Sequence, residues 1–231
     1  LDLDDEQEGF DPEADLLFTG YDDRAKNSSI WRGMMTVAGV EKLREDDKRF
    51  LRFEKADDAD VIVYTEESYT EFPDYWVTDG DFDSPRKITE VNPQLDDLDL
   101  GEAELVEWES MDGIPLQGVL IKPAGYEEGE RYPVLVYFYR FFSQRLHRFN
   151  DPQVNHRPSF PIYAGDGYAI FLPDVRFDIG NPGYAATKCL VPGMQKIVEM
   201  GVADPDGIAL HGHSWSGYQA AHVITQTDIF A

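Results

Sequence analysis

The sequence predicts an α/β domain preceded by the last blades of a β-propeller. Three observations lead to this prediction: a 45-residue repeat in the first region, a series of apolar strands in the second, and a serine at a turn before a helix. The chain has 231 residues, of which 42% are hydrophobic, enough for one large domain or two modest ones. We predict propeller blades over residues 1–95, a linker over 96–103 and the α/β domain over 104–231.

The repeat emerges when the chain is aligned with itself at an offset of 45 residues. The segment "ADLLFTGYDDRAKNSSIWR" from Ala14 then lies over "ADVIVYTEESYTEFPDYWV" from Ala59, and Trp31 lies over Trp76. Each copy has the pattern of a strand, a polar turn and a second strand. A period of this length is typical of propeller blades, and chance similarity between two hairpins is the alternative. Two blades do not close a propeller, so they are either its last blades or pack in another way.

Strands and helices alternate in the second region. Apolar and polar residues alternate around an Asp-Gly turn in "ELVEWESMDGIPLQGVLIKP", as in a β-hairpin. The runs at 132–139 and 168–175 are almost continuously apolar, which is typical of strands buried on both faces of a parallel sheet. Apolar residues at helical spacing predict a helix over 191–200. The strand "GIAL" and the helix "SGYQAAHVIT" complete an α/β order.

The turn in "LHGHSWSGYQAA" contains the main candidate for chemistry, Ser214. Strand, turn and helix are the context of a nucleophile elbow, in which the chain before and after the nucleophile passes close together and needs small residues. Gly212 and Gly217 fit this need, and Ser216 is small although it is not glycine. The backbone N–H of Trp215, at the positive end of the helix, would then face a developing oxyanion. An N-cap serine is the alternative interpretation.

Two histidines, His211 and His213, flank this turn. They are poor candidates for the catalytic base, because neighbours in a strained strand do not easily fold back onto the Ser214 hydroxyl. We expect them to pack beneath the turn.

The second region resembles the catalytic domain of the prolyl oligopeptidase family of serine peptidases, in particular its bacterial dipeptidyl-peptidase and acylaminoacyl-peptidase-like branch. The resemblance rests on "YPVLVYFY", on "GYAIFLPDVR" with "GNPG", and on "MGVADPDGIALHGHSWSGYQAAHVITQTDIF". It extends from about Glu104 to the end of the chain. The resemblance implies an α/β-hydrolase domain, here its N-terminal half, after a β-propeller, which agrees with the repeat found independently.

The resemblance also implies roles for residues. Ser214 would be the nucleophile of a Ser-Asp-His triad in that chain order, and Trp215 with the hydroxyl of Tyr139 would form the oxyanion hole. An aromatic residue ending a core strand is the alternative for Tyr139. The chain departs from the family at Ser216 and in the "RFFSQ" that follows Tyr139, where glycine is common in both places. No paired glutamates of an amine-binding motif are recognisable, so aminopeptidase specificity is not supported.

The triad Asp and His are expected downstream, yet only 17 residues follow Ser214. None of these residues can take both roles, because His222 lies eight residues into the last predicted helix and Asp228 lies near its end. The chain is therefore interpreted as a fragment, truncated after the elbow, that is inactive by itself.

Composition limits the partners. With 45 acidic against 20 basic residues the formal net charge is −25, which excludes nucleic acid and anionic membrane surfaces. The acidity is interpreted as a solvated surface or as adaptation to high salt. The single cysteine, Cys189, excludes an intrachain disulfide, and no metal or cofactor is expected. No membrane span or signal peptide is recognisable, and oligomeric state and compartment (periplasmic, secreted or cytoplasmic) stay open.

Three functions compete. The favoured function is a serine peptidase that acts on a peptide substrate, because common esterases lack the propeller repeat. An esterase or other acyl hydrolase would use the same elbow. A propeller-bearing binding protein whose hydrolase domain has lost activity is the third, supported by Ser216 and by the missing glycines after Tyr139.

Overall fold

The computed structural model describes residues 11–152 and 158–231, which form two compact units. The first unit contains the described residues up to Asp97 together with His147–Phe149. The second contains Leu98–Leu146 and the described residues from Asn150 to Ala231. Within these described ranges, no helix is long and apolar enough to cross a membrane.

Two antiparallel sheets build the first unit. One has the strand order β1 (Leu16–Tyr21), β2 (Ser28–Gly33) and β3 (Glu41–Asp46), and the other has β4 (Arg49–Lys55), β5 (Ile62–Glu67), β6 (Asp74–Thr78) and β7 (Arg86–Lys87). The hairpin expected in each copy of the repeat is present, as β1–β2 and β5–β6. Trp31 lies in β2 and Trp76 at the corresponding place in β6. The counterpart of β4 in the first copy would fall before Asp11, outside the described residues.

The ring of Tyr64 is the centre of the first unit's core. It is fully buried and packs against Phe50 and Phe53, with ring centroids 6.0 and 5.4 Å away. Burial raises the pKa of its hydroxyl. Its hydroxyl accepts a hydrogen bond from Arg44, which also pairs with Glu66 at 2.9 Å. The polar end of this buried ring is thus satisfied within the unit.

Two adjacent glutamates, Glu66 and Glu67, lie at the end of β5, and the sequence pattern indicated no role for them. Both are buried, Glu66 pairs with Lys48 at 2.9 Å as well as with Arg44, and Glu67 pairs with Arg49. Since both carboxylates already bind cations of their own unit, we assign them a structural role.

A mixed five-stranded sheet builds the second unit. In chain order its strands are β8 (Glu102–Glu109), β9 (Pro115–Lys122), β10 (Tyr132–Phe138), β11 (Ala169–Pro173) and β12 (Ala203–Gly212). The spatial order is β12-β10-β11-β9-β8, with β10 parallel to β11 and β12 and the other pairs antiparallel. The β8–β9 hairpin and the parallel strands β10 and β11 confirm the patterns in the sequence. The linker is expected over 96–103, and β8 begins at Glu102.

Three helices accompany this sheet: α1 (Phe160–Gly165), α2 (Pro182–Glu199) and α3 (Trp215–Val223). The predicted helix over 191–200 was too short, since α2 begins at Pro182 and runs through Pro192. A proline inside a helix has no N–H for the carbonyl four residues earlier, here that of Lys188. The N–H of Met111 donates to that carbonyl at 3.0 Å. This tertiary hydrogen bond compensates for the proline.

Trp108 of β8 joins α2 to the sheet. Its indole N–H donates to the carbonyl of Cys189 at 2.9 Å, and its ring lies 5.4 Å from that of Phe171. A Cβ on Gly193 would approach the indole to 3.0 Å, so the glycine allows the helix to lie against the ring. Together with fully buried residues of β10 and β12, these residues form the core of the second unit.

The boundary between the units predicts where a protease cuts. Between Gln94 and Gly101 the chain is mostly exposed, and the only helical turn there is the short Pro93–Leu95 segment. Exposed connections with few hydrogen bonds are preferred cleavage sites. Limited proteolysis with a broad-specificity protease should therefore cut first within 94–101, as read by mass spectrometry of the products. Earlier cleavage inside β5–β6 would contradict the boundary.

Candidate active site

Ser214 occupies a strained turn between β12 and α3. Its backbone has φ 56° and ψ −120°, and residues other than glycine rarely adopt such a positive φ. The N-cap alternative predicts a side-chain hydrogen bond to the first turn of α3, but Ser214 makes none. Its side chain is exposed instead. Such strain persists only where the surroundings impose it, and it concentrates at functional sites.

Gly212 and Ser216 impose this strain by approaching each other across the turn. A Cβ on Gly212 would lie 2.2 Å from the carbonyl oxygen of Ser216 and 2.8 Å from the nitrogen of Gly217. No side chain fits there, so the sequence supplies glycine. By contrast, a Cβ on Gly217 would lie 3.4 Å from the Gly212 oxygen, an ordinary contact. Of the two glycines in the motif, only Gly212 is sterically required.

The hydroxyl of Ser216 has a structural use of its own. The residue is fully buried, and its Oγ accepts a hydrogen bond from the N–H of His213 and donates one to the His213 carbonyl, both at 2.9 Å. These bonds hold the strand side of the turn against the helix side. The place where glycine was expected therefore accommodates serine without leaving a buried polar group unsatisfied.

Trp215 begins α3 directly after Ser214. Its backbone N–H makes no hydrogen bond to any residue that the structure describes, so it is free to donate to a ligand at the positive end of the helix. Its indole is 46% exposed and contacts the rings of Phe177 and Tyr218 at 6.4 and 5.9 Å between centroids. The N–H has the chemistry that the predicted oxyanion role requires.

Tyr139 lies beside this turn because of strand register. β10 pairs with β12 up to Phe138, which is opposite Gly212, so Tyr139 is the next residue beyond the paired edge. Phe138 is fully buried, whereas Tyr139 is 41% exposed. Tyr139 is therefore not the core aromatic of the alternative interpretation. A phenolic hydroxyl at this edge is able to donate to an oxyanion.

Asp174 organises the loop after Tyr139, a role that sequence reasoning missed. It follows β11 directly, is 7% exposed, and its carboxylate accepts the backbone N–H groups of Phe142 and Ser143 at 2.6 and 2.8 Å. It also accepts the Ser143 hydroxyl at 2.7 Å. An acidic residue directly after a buried strand, in "FLPDV", was the available signal. The loop that departs from the family pattern is thus held in one conformation.

His211 and His222 pack against other residues of the second unit. The ring of His211 packs 5.3 Å from that of Tyr137, and burial, with a smaller contribution from His213, lowers the pKa of His211. His222 packs on α2, where a Cβ on Gly183 would approach its ring to 2.5 Å. In the described part of the chain, no group of His, Cys, Asp and Glu forms a metal site.

Three solved peptidase structures share this fold. The AtxE2 isopeptidase aligns with a TM-score of 0.75 at 17% identity, over 94% of this chain and 35% of its own. Dipeptidyl peptidase 4 of Porphyromonas gingivalis aligns at 0.68 and 15%, over 96% and 33%. The acylaminoacyl peptidase of Pyrococcus horikoshii aligns at 0.62 and 20%, over 88% and 33%. No family model matches the sequence, and a search of curated proteins gives no match.

These neighbours are peptidases of the prolyl oligopeptidase family, the family that the sequence resembles. At these identities the likeness establishes the fold. The chain spans about a third of the length of each neighbour.

The close approach at Gly212 gives a mutational prediction. In Gly212→Ala the new methyl carbon collides with the Ser216 carbonyl, so the turn must shift and Ser214 loses its position. We expect labelling of the complete protein by a fluorophosphonate probe to slow by about 100-fold, and the free energy of unfolding to fall by roughly 1–3 kcal/mol.

Gly217→Ala is the matched comparison, because its added carbon makes only an ordinary contact. It should label at the rate of the unaltered protein. Equal labelling of all three proteins would show that the close approach at Gly212 does not control Ser214.

Proposed function

We propose that the complete protein containing this chain is a serine peptidase of the prolyl oligopeptidase family that cleaves short peptides through an acyl-enzyme on Ser214. One observation carries the proposal. Ser214 is exposed and strained at the carboxyl end of a parallel strand and makes no side-chain capping hydrogen bond to α3, in a fold shared with peptidases. A serine held in this way is presented to a substrate rather than used to cap a helix.

The geometry supports a stepwise role for each residue. The Oγ of Ser214 attacks the carbonyl carbon of the scissile bond while a histidine takes its proton. The backbone N–H of Trp215 and the hydroxyl of Tyr139 donate hydrogen bonds to the resulting oxyanion. The tetrahedral intermediate expels the amine, which takes the proton from the histidine, and water then hydrolyses the acyl-enzyme. The dipole of α3 favours the negative charge at the same place.

The triad Asp and His are proposed to come from parts of the protein beyond the described residues. The length of the neighbours supports this, since they are about three times longer than this chain. We propose that the second unit is the N-terminal part of an α/β-hydrolase domain, and that the chain belongs to the dipeptidyl-peptidase and acylaminoacyl-peptidase-like branch.

The first unit supports peptides over esters as substrates. Its hairpins β1–β2 and β5–β6 repeat with the 45-residue period of propeller blades. We propose that its sheets are the last blades of a propeller that admits only short peptides. The AtxE2 isopeptidase, one of the neighbours, is also known with the peptide Astexin3-dC4 bound. An acyl hydrolase acting on esters alone has no evident use for such sheets.

The non-catalytic alternative rested on two departures from the family, and the structure provides a physical reason for each. Ser216 satisfies the backbone of His213, and Asp174 holds the loop after Tyr139. Neither feature disturbs the strained backbone of Ser214. Because both departures have a structural explanation, they no longer favour a non-catalytic protein, and we favour an enzyme.

Covalent labelling tests the nucleophile. The complete protein should react with a fluorophosphonate probe and hydrolyse internally quenched short peptides, and Ser214→Ala should abolish both, because no other described hydroxyl is presented in this way. In-gel fluorescence and a fluorogenic peptide assay measure the two effects.

Ser84→Ala is a suitable control, since it removes the hydroxyl of an exposed serine in the first unit, not in the unit that contains Ser214. Retained labelling in Ser214→Ala would show that another residue is the nucleophile. Cleavage of esters with no cleavage of any peptide would favour the acyl hydrolase.

A further inference from the structure

Arg140 stands in a fixed position beside the candidate active site. It directly follows Tyr139, and its carbonyl accepts the N–H of Val175 at 2.6 Å, which ties its backbone to the chain leaving β11. The residue is exposed. Its backbone is therefore set by the same sheet edge that places Tyr139 next to Ser214.

Two aromatic rings hold the Arg140 side chain. Its guanidinium carbon lies 5.1 Å from the ring centroid of Phe141 and 5.6 Å from that of Phe177. Phe177 in turn contacts the indole of Trp215, the residue after Ser214. Cation–π contacts of this kind restrain the guanidinium, which reduces the entropy lost when it binds a ligand. The cation is thus part of the aromatic surface around the nucleophile.

Arg140 makes no ion pair with any described residue, although the whole sequence carries 45 acidic and only 20 basic residues. By comparison, Arg44 and Arg49 of the first unit each pair with a buried glutamate. Contacts through the face of a guanidinium leave its five N–H donors, which lie in the plane of the group, available. The Arg140 guanidinium therefore has N–H donors that no carboxylate of the described residues occupies.

We propose that Arg140 is a specificity-determining residue that binds a carboxylate of the substrate close to the scissile bond. This inference rests on the proposed peptidase function. The carboxylate belongs either to an Asp or Glu side chain or to the carboxyl terminus of a short peptide, and both offer the two oxygens that an arginine fork binds. In a chain of strong negative charge, one exposed cation also offsets the local repulsion that an acidic peptide meets.

The test compares matched peptides on the complete protein. One series has Glu or Gln at each position flanking the scissile bond, and the other has a free or an amidated carboxyl terminus. Both are measured with the unaltered protein, with Arg140→Gln and with Arg140→Lys. Arg86→Gln is the control, because Arg86 is an exposed arginine of the first unit that makes no ion pair with the described residues.

We expect the acidic member of one series to be cleaved about tenfold better in kcat/KM than its neutral partner, the effect of one charge-assisted interaction. Arg140→Gln should reduce this ratio to about one, and because the ratio compares two peptides on the same variant, a general change in rate cancels. Arg140→Lys should keep part of the ratio, Arg86→Gln all of it, and added salt should lower it. The responding series identifies the source of the carboxylate.

Affinity measured by calorimetry on Ser214→Ala gives a readout that needs no catalysis. The same peptide pairs should show the same tenfold preference, and adding Arg140→Gln should remove it. A preference that survives Arg140→Gln, or equal treatment of both pairs by the unaltered protein, would overturn the role of Arg140. Absence of Ser214 labelling together with an Arg140-dependent affinity would instead refute the peptidase and retain the carboxylate site.

Discussion

The approach of Gly212 to Ser216 is the constraint on which the candidate active site depends. A Cβ on Gly212 would lie only 2.2 Å from the Ser216 carbonyl oxygen, so there is no room for a side chain at position 212, where the chain passes from β12 towards α3. This compression leaves Ser214 at a positive φ with its hydroxyl exposed. The hydrogen bonds between Ser216 and His213 hold the two sides of the turn together. Strain in one residue is thus maintained by packing in its neighbours.

The sheet extends this constraint to the rest of the site. Parallel pairing of β10 with β12 ends at Phe138 and Gly212, which brings Tyr139 to the edge where Ser214 stands. The neighbouring strand β11 leads into Asp174, whose carboxylate holds the loop that follows Tyr139. The candidate catalytic groups lie at this edge because the carboxyl ends of parallel strands meet there. The aromatic surface that carries Arg140 is built on the same edge.

Much of the fold could be predicted because its signals are local. Alternating residues indicated the β8–β9 hairpin, continuous apolar runs indicated β10 and β11, and the offset between Trp31 and Trp76 indicated equivalent hairpins. What could not be predicted depends on contacts between distant segments. The predicted helix over 191–200 missed the first nine residues of α2, which begins at Pro182 and continues through Pro192, where Met111 donates to the Lys188 carbonyl.

The same distinction holds for the site. The spacing of Gly212, Ser214 and Gly217 suggested the elbow, but its distances determine that only Gly212 must be glycine. Asp174 and the rings around Arg140 act across strands, so neither role is visible in a linear pattern.

A crystal structure of the complete protein after reaction with a fluorophosphonate tests the central claim most directly. The account predicts phosphorus bonded to the Oγ of Ser214, with Ser214 still at positive φ. One phosphoryl oxygen should lie about 2.7–3.1 Å from both the backbone nitrogen of Trp215 and the hydroxyl of Tyr139. Phosphorus on another residue, or Ser214 in an ordinary helical N-cap conformation, would contradict the assignment of the nucleophile and the turn that presents it.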